Sequence, residues 1–140
     1  MRFYQPRFFK PQELLPRDVF ARFGASGLIV FDPRILFTLD KIREFFGKPI
    51  TVNNWHLGGQ FSQRGFRNDI ETGAGLSQHR FGRAVDFDIA GISADEFRGL
   101  ITAGRLNDVL TEASRCEQGV NWVHLDCASS REMGIVFFHS

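Results

Sequence analysis

Residues 77–89 read SQHRFGRAVDFDI, and this stretch decides the fold. From Arg83 to Ile89 it alternates as a strand does. Val85, Phe87 and Ile89 point to one side, and Ala84, Asp86 and Asp88 to the other. A carboxylate flanked by apolar neighbours needs a partner, because a lone buried charge is costly. His79 stands upstream, across Gly82, and a bend at that glycine folds the imidazole back over the face carrying Asp86. A second stretch, NWVHLD at residues 121–126, places Trp122, His124 and Asp126 on one strand face and Val123 and Leu125 on the other. If the two strands pair, His79, Asp86 and His124 converge. Two imidazoles and one carboxylate make an open three-ligand zinc site with a fourth position for water. Each motif alone has a plainer reading: Asp86 could pair with Arg80 or Arg83, and His124 could bond to backbone. Their combination carries the argument.

The flanking elements complete an α+β pattern. Asp32 as N-cap, Pro33 at the first helical position and Gly47 as C-cap predict a helix from Pro33 to Phe46. Ile35, Leu39, Ile42 and Phe46 form its core face. Before it, an aromatic arm packs through Phe3, Phe8 and Phe9, and a short helix runs from Arg17 to Phe23. After it come a strand from Ile50 to Asn53 and a long loop from His56 to Gln78. Ser93 and Glu96 form a capping box, with Ile92 and Phe97 placed as a staple, for a helix to about Ala103. A second helical stretch is expected from Arg105 to Ser114. Two strands, Val120 to Cys127 and Gly134 to Phe138, close a small, largely antiparallel sheet.

The chain has 140 residues, 24% of them charged, and a formal net charge of +1. That predicts one domain, 1–140, able to bury a core unaided, and excludes a mostly disordered chain. Near-neutrality argues against nucleic acid as a partner. No apolar run reaches the ~20 residues of a membrane span, and MRFYQPRFFKPQELLPRD lacks the apolar core of a signal peptide. Cys116 and Cys127 are expected as reduced, packed thiols. Gly73 to Gly75 is too short for a phosphate loop. His56 and His139 are expected to be structural or exposed. The 16 Phe, 2 Trp and 1 Tyr read as core filling and not as a base-stacking surface.

The strings S-Q-H-x-x-G-x-A-x-D, from Ser77 to Asp86, and W-x-H-x-D, from Trp122 to Asp126, resemble the zinc D-Ala-D-Ala carboxypeptidase family, whose superfamily includes the Hedgehog signalling domain. The resemblance spans roughly Ile50 to the C-terminus, and Asn53 to Gly59 looks like the bacteriophage-borne branch. It implies zinc held by His79, Asp86 and His124. It also implies an arginine in a Gly-aromatic-Arg context that binds a substrate carboxylate or the scissile carbonyl oxygen. Gly65-Phe66-Arg67 fits, so Arg67 is the choice and Arg64 the runner-up. Ser77 and Trp122 are assigned to substrate binding beside Arg67. The implied activity is hydrolysis of peptidoglycan stem peptides by a monomeric carboxypeptidase or endopeptidase. Such an enzyme is cytoplasmic or virion-associated and acts on the cell wall in the manner of an endolysin.

One position departs from the family. The carboxylate expected three residues before the second zinc histidine is Asn121, and an amide cannot serve as the base. A substitute is needed, with Glu117 ranked ahead of Asp126 and Asp88. Alternatively, the acidifying effect of zinc on water suffices at a reduced rate. The third possibility is a zinc-containing but catalytically silent virion or wall-binding module. Asp126 and Asp88 also have a structural reading, as groups that orient the zinc histidines.

Overall fold

A computed structural model describes residues 4–69, 75–130 and 132–140. Helix α1, Pro11–Leu14, and helix α2, Arg17–Phe23, lead into a 3-10 stretch, Gly24–Val30. Helix α3 follows at Pro33–Phe46 with the expected ends. The Asp32 carboxylate accepts from the Arg34 N–H, and the Gly47 N–H donates to the Arg43 carbonyl. Strand β1 is Ile50–Thr51, β2 is Ala84–Ile89, helix α4 is Ala94–Thr102, β3 is Arg115–Glu117, β4 is Val123–Asp126 and β5 is Val136–Phe138. The capping box at Ser93 and Glu96 is formed in both directions.

The five strands make one sheet in the order β1-β2-β4-β3-β5. Strands β1, β2, β4 and β3 are antiparallel neighbours, and β5 joins the outer edge parallel to β3. The decisive register is Asp86 opposite His124 in the β2–β4 pair. Core side chains from α3 (Ile35, Leu39, Ile42), from the sheet (Val85, Phe87, Leu125) and from α4 (Phe97) form one buried cluster. Phe97 binds the layers together. Its ring meets Phe87 of β2 at 5.8 Å and Phe46 of α3 at 5.9 Å. Because strand side chains alternate, Asp86 is left on the face away from Phe87, where the cleft lies.

Several expectations need correction. The stretch from Arg105 to Ser114 is a series of turns and carries no helix. Gly104 has φ +74, and Asn107 and Asp108 favour turns, while Leu106, Val109 and Leu110 still bury their side chains. Strand β3 follows directly and was not anticipated; it is three residues long, too short for alternation to show. The first strand ends at Thr51, because Asn53 turns inward to serve the loop, and the fourth is narrower than 120–127. The N-terminal arm contains α1. Phe9 is buried, but Phe8 is exposed on the surface between the guanidinium groups of Arg7 and Arg43. Phe3 and the first two residues of the Gly73–Gly75 segment lie outside the described residues.

Cys116 and Cys127 are free and buried, as expected. Burial pushes their thiols up to about 12 and about 11, so neither is a ready nucleophile. No helix among the described residues is long and apolar enough to cross a membrane.

Candidate metal centre

His79 sits on a 3-10 turn, Gln78–Phe81, immediately before β2. Gly82 makes the reversal, with φ +68. A Cβ there would lie 1.8 Å from the Val30 carbonyl oxygen, so no other residue fits without displacing backbone. The loop before it is strapped to the sheet. The Asp86 N–H donates to the Arg64 carbonyl at 2.7 Å, beyond the end of β1, and the Arg67 N–H donates to the His79 carbonyl at 3.1 Å. Buried Asn53 supports the strap: its side-chain oxygen accepts from the Arg64 N–H and its amide donates to the Leu15 carbonyl.

His79, Asp86 and His124 are all buried, and one ligand atom from each lies within 4.8 Å of the others. His79 Nε2 is 3.2 Å and His124 Nδ1 2.8 Å from the same Asp86 oxygen, Oδ1. The outward nitrogens are both engaged. His79 Nδ1 faces the Gly65 carbonyl at 2.9 Å, and His124 Nε2 faces Asp126 Oδ2 at 2.9 Å. The Gly65 carbonyl can only accept, so His79 Nδ1 carries a proton toward it, whereas His124 has a carboxylate at each nitrogen, Asp86 at Nδ1 and Asp126 at Nε2. This donor set fits zinc: two imidazoles and one carboxylate, buried and convergent, with both imidazoles held at their outer nitrogens.

Without a metal, the cluster is held together by charge. Burial opposes ionisation of Asp86, but hydrogen bonds from His124 and His79 hold its carboxyl well below the usual range. Burial likewise opposes charge on His124, yet Asp126 and Asp86 on either side raise its pKa to about 9. Arg67 reaches Asp86 Oδ2 at only 3.8 Å, and burial pulls its pKa down.

The cluster lines a cleft of about 450 Å3 together with Arg67, Ser77, Glu117 and Trp122, all singled out from the sequence. Ser77 Oγ lies 3.4 Å from Arg67 Nη1. Trp122 Nε1 is buried and meets no hydrogen-bond partner among the described residues. Glu117 is on β3, and its carboxylate accepts from the Ser140 hydroxyl. Other candidates fall away. Asn121 is exposed and does not line the cleft. Arg64 and Asp88 pair with each other at 2.9 Å outside it. Asp126 is fully buried and held by Arg115, so it backs His124.

The family model described as Peptidase M15 matches residues 8–126. The chain belongs to the peptidase M15 family. M15 peptidases are zinc-dependent, in keeping with the donor set just described. No curated protein and no solved structure matches the chain. The M15 match ends at Asp126, yet Phe138, the last residue of β5, and Ser140 beyond it also line the cleft. Sequence reasoning missed Phe138, Ser140, Arg115 and the Gly65 carbonyl. Each acts through a contact distant in sequence, and none has a motif of its own.

Proposed function

We propose that this M15 chain hydrolyses a peptide bond in peptidoglycan stem peptides, with zinc held by His79, Asp86 and His124. The observation that carries the reading is the convergence of these three ligands with both imidazoles clamped at their outer nitrogens. Zinc at this position supplies Lewis-acid polarisation of the scissile carbonyl and acidifies water. Arg67, in the same cleft, binds the substrate carboxylate or the carbonyl oxygen as negative charge develops on it. Ser77 and Trp122 line the cleft where the peptide lies. Glu117 takes the proton from the attacking water as its oxygen bonds to the carbonyl carbon, and returns a proton to the leaving nitrogen as the C–N bond breaks. Of the carboxylates considered, Glu117 alone lines the cleft without being a ligand or the backing of one. The resemblance to D-Ala-D-Ala carboxypeptidases of the bacteriophage-borne branch supports a wall substrate and an endolysin or virion setting.

The test is digestion of purified peptidoglycan of several chemotypes, read by mass spectrometry of released muropeptides. Zinc-loaded protein should shorten the stem peptides, and Glu117→Gln should lose about 10²–10⁴-fold in rate. Asn121 favours a second reading, a zinc-containing module that binds wall or virion and cuts nothing. No release from any chemotype by zinc-loaded protein would overturn the first reading.

A further inference from the structure

His124 is held from behind by an arrangement larger than one hydrogen bond. Asp126, two residues along β4, points to the same face, and Arg115 of β3 stands opposite it in the β3–β4 register. Asp126 is fully buried, and its two oxygens accept four hydrogen bonds. Oδ2 takes His124 Nε2 at 2.9 Å and Arg115 Nη2 at 2.8 Å; Oδ1 takes Arg115 Nε at 2.9 Å and the Ala128 N–H at 3.2 Å. The Arg115 fork fixes the plane of the carboxylate. Phe138 of β5 secures both partners: its ring meets the His124 imidazole at 5.5 Å and lies 4.2 Å under the Arg115 guanidinium.

We propose that Asp126, oriented by Arg115, is a positioning residue that fixes the His124 proton on Nε2 and so directs Nδ1 to the metal. This rests on the zinc centre proposed above. The physical case is one of acceptors and donors. The two His124 nitrogens face two carboxylates, Asp86 at Nδ1 and Asp126 at Nε2, so the imidazole alone does not choose which nitrogen keeps its proton. The contact on Asp126 does choose. Its oxygens are saturated by donors and already oriented, so Nε2–H finds a rigid acceptor, and Asp86 is free to ligate beside Nδ1. The same saturation leaves Asp126 no lone pair aimed at substrate, which separates its role from that of Glu117.

The test compares zinc affinity, by competition with a chromophoric chelator, among the wild-type protein, Asp126→Asn and Arg115→Met. An asparagine can turn its NH2 toward Nε2 and move the imidazole proton to Nδ1, the ligating nitrogen. Asp126→Asn should therefore weaken zinc binding by about 10–100-fold. Arg115→Met, at a partly exposed side chain, should weaken it in the same direction by a smaller factor. Circular dichroism melts confirm that the compared proteins are folded. In ¹⁵N spectra, zinc-loaded wild-type protein should show His124 protonated at Nε2 and metallated at Nδ1. Unchanged affinity in both folded variants, or zinc on Nε2, overturns the proposal while leaving the metal centre in place. Should Asp126→Asn fail to fold, Arg115→Met and the wild-type spectrum decide. A wild-type chain that binds no zinc overturns both this proposal and the function above; one that binds zinc but cuts no peptidoglycan removes only the function.

Discussion

His124 carries the sharpest residue-scale consequence. In the metal-free protein, burial resists its charge, but Asp126 and Asp86 raise its pKa from 6.5 to about 9. Zinc needs Nδ1 without its proton, so binding below pH 9 must expel it. Apparent zinc affinity should thus rise about tenfold per pH unit between pH 7 and pH 9, then flatten. A competition titration corrected for the chelator's own protonation checks this, and an affinity that stays flat over that range would contradict it. The linked stability runs the other way. The contribution from protonated His124 is complete below its unfolded pKa near 6.5 and is lost as pH rises through about 9. At this scale the convergence of His79, Asp86 and His124 was legible in the sequence, because Asp86 and His124 occupy strand positions where an apolar residue is the ordinary choice. Arg115 and Phe138 were not legible, since each acts across a strand pairing that local pattern does not encode.

At the element scale, the turn before β2 is where sequence reading succeeded and where substitution should hurt most. Gly82 combines φ +68 with a Cβ position 1.8 Å from the Val30 oxygen. Gly82→Ala should cost about 2–3 kcal/mol. The urea midpoint should fall with an unchanged m-value. Zinc affinity should fall with it, because the turn carries His79. A variant as stable and as tightly metallated as the parent would refute the role given to this turn. The helix α3 was equally legible, as its caps are local chemistry. The segment 103–114 was not. Its apolar residues have a loosely helical spacing, but Gly104 and the Asn107-Asp108 pair settle for turns once Leu106, Val109 and Leu110 can be buried without a helix. Strand β3, set up by that segment, depends on pairing with β4 and β5.

At the scale of the whole molecule, the Phe content divides. Phe9, Phe31, Phe87 and Phe97 are buried, whereas Phe8, Phe23, Phe45 and Phe81 are exposed, several of them beneath arginines. The aromatic excess is therefore only partly core filling. Phe97 is the member that joins the sheet to both longer helices, so Phe97→Ala should cost about 3–5 kcal/mol in denaturant unfolding. A loss below 1 kcal/mol would mean that α4 does not tie these layers together. The net charge of +1 gives this domain no strong overall field with which to steer a charged partner.

Elemental analysis of protein purified without chelator decides whether His79, Asp86 and His124 hold a zinc ion. The wild-type protein should carry one zinc per chain and folded His79→Ala none. A folded wild-type protein with far less than one zinc, or a His79→Ala variant that retains it in full, would rule out this metal centre.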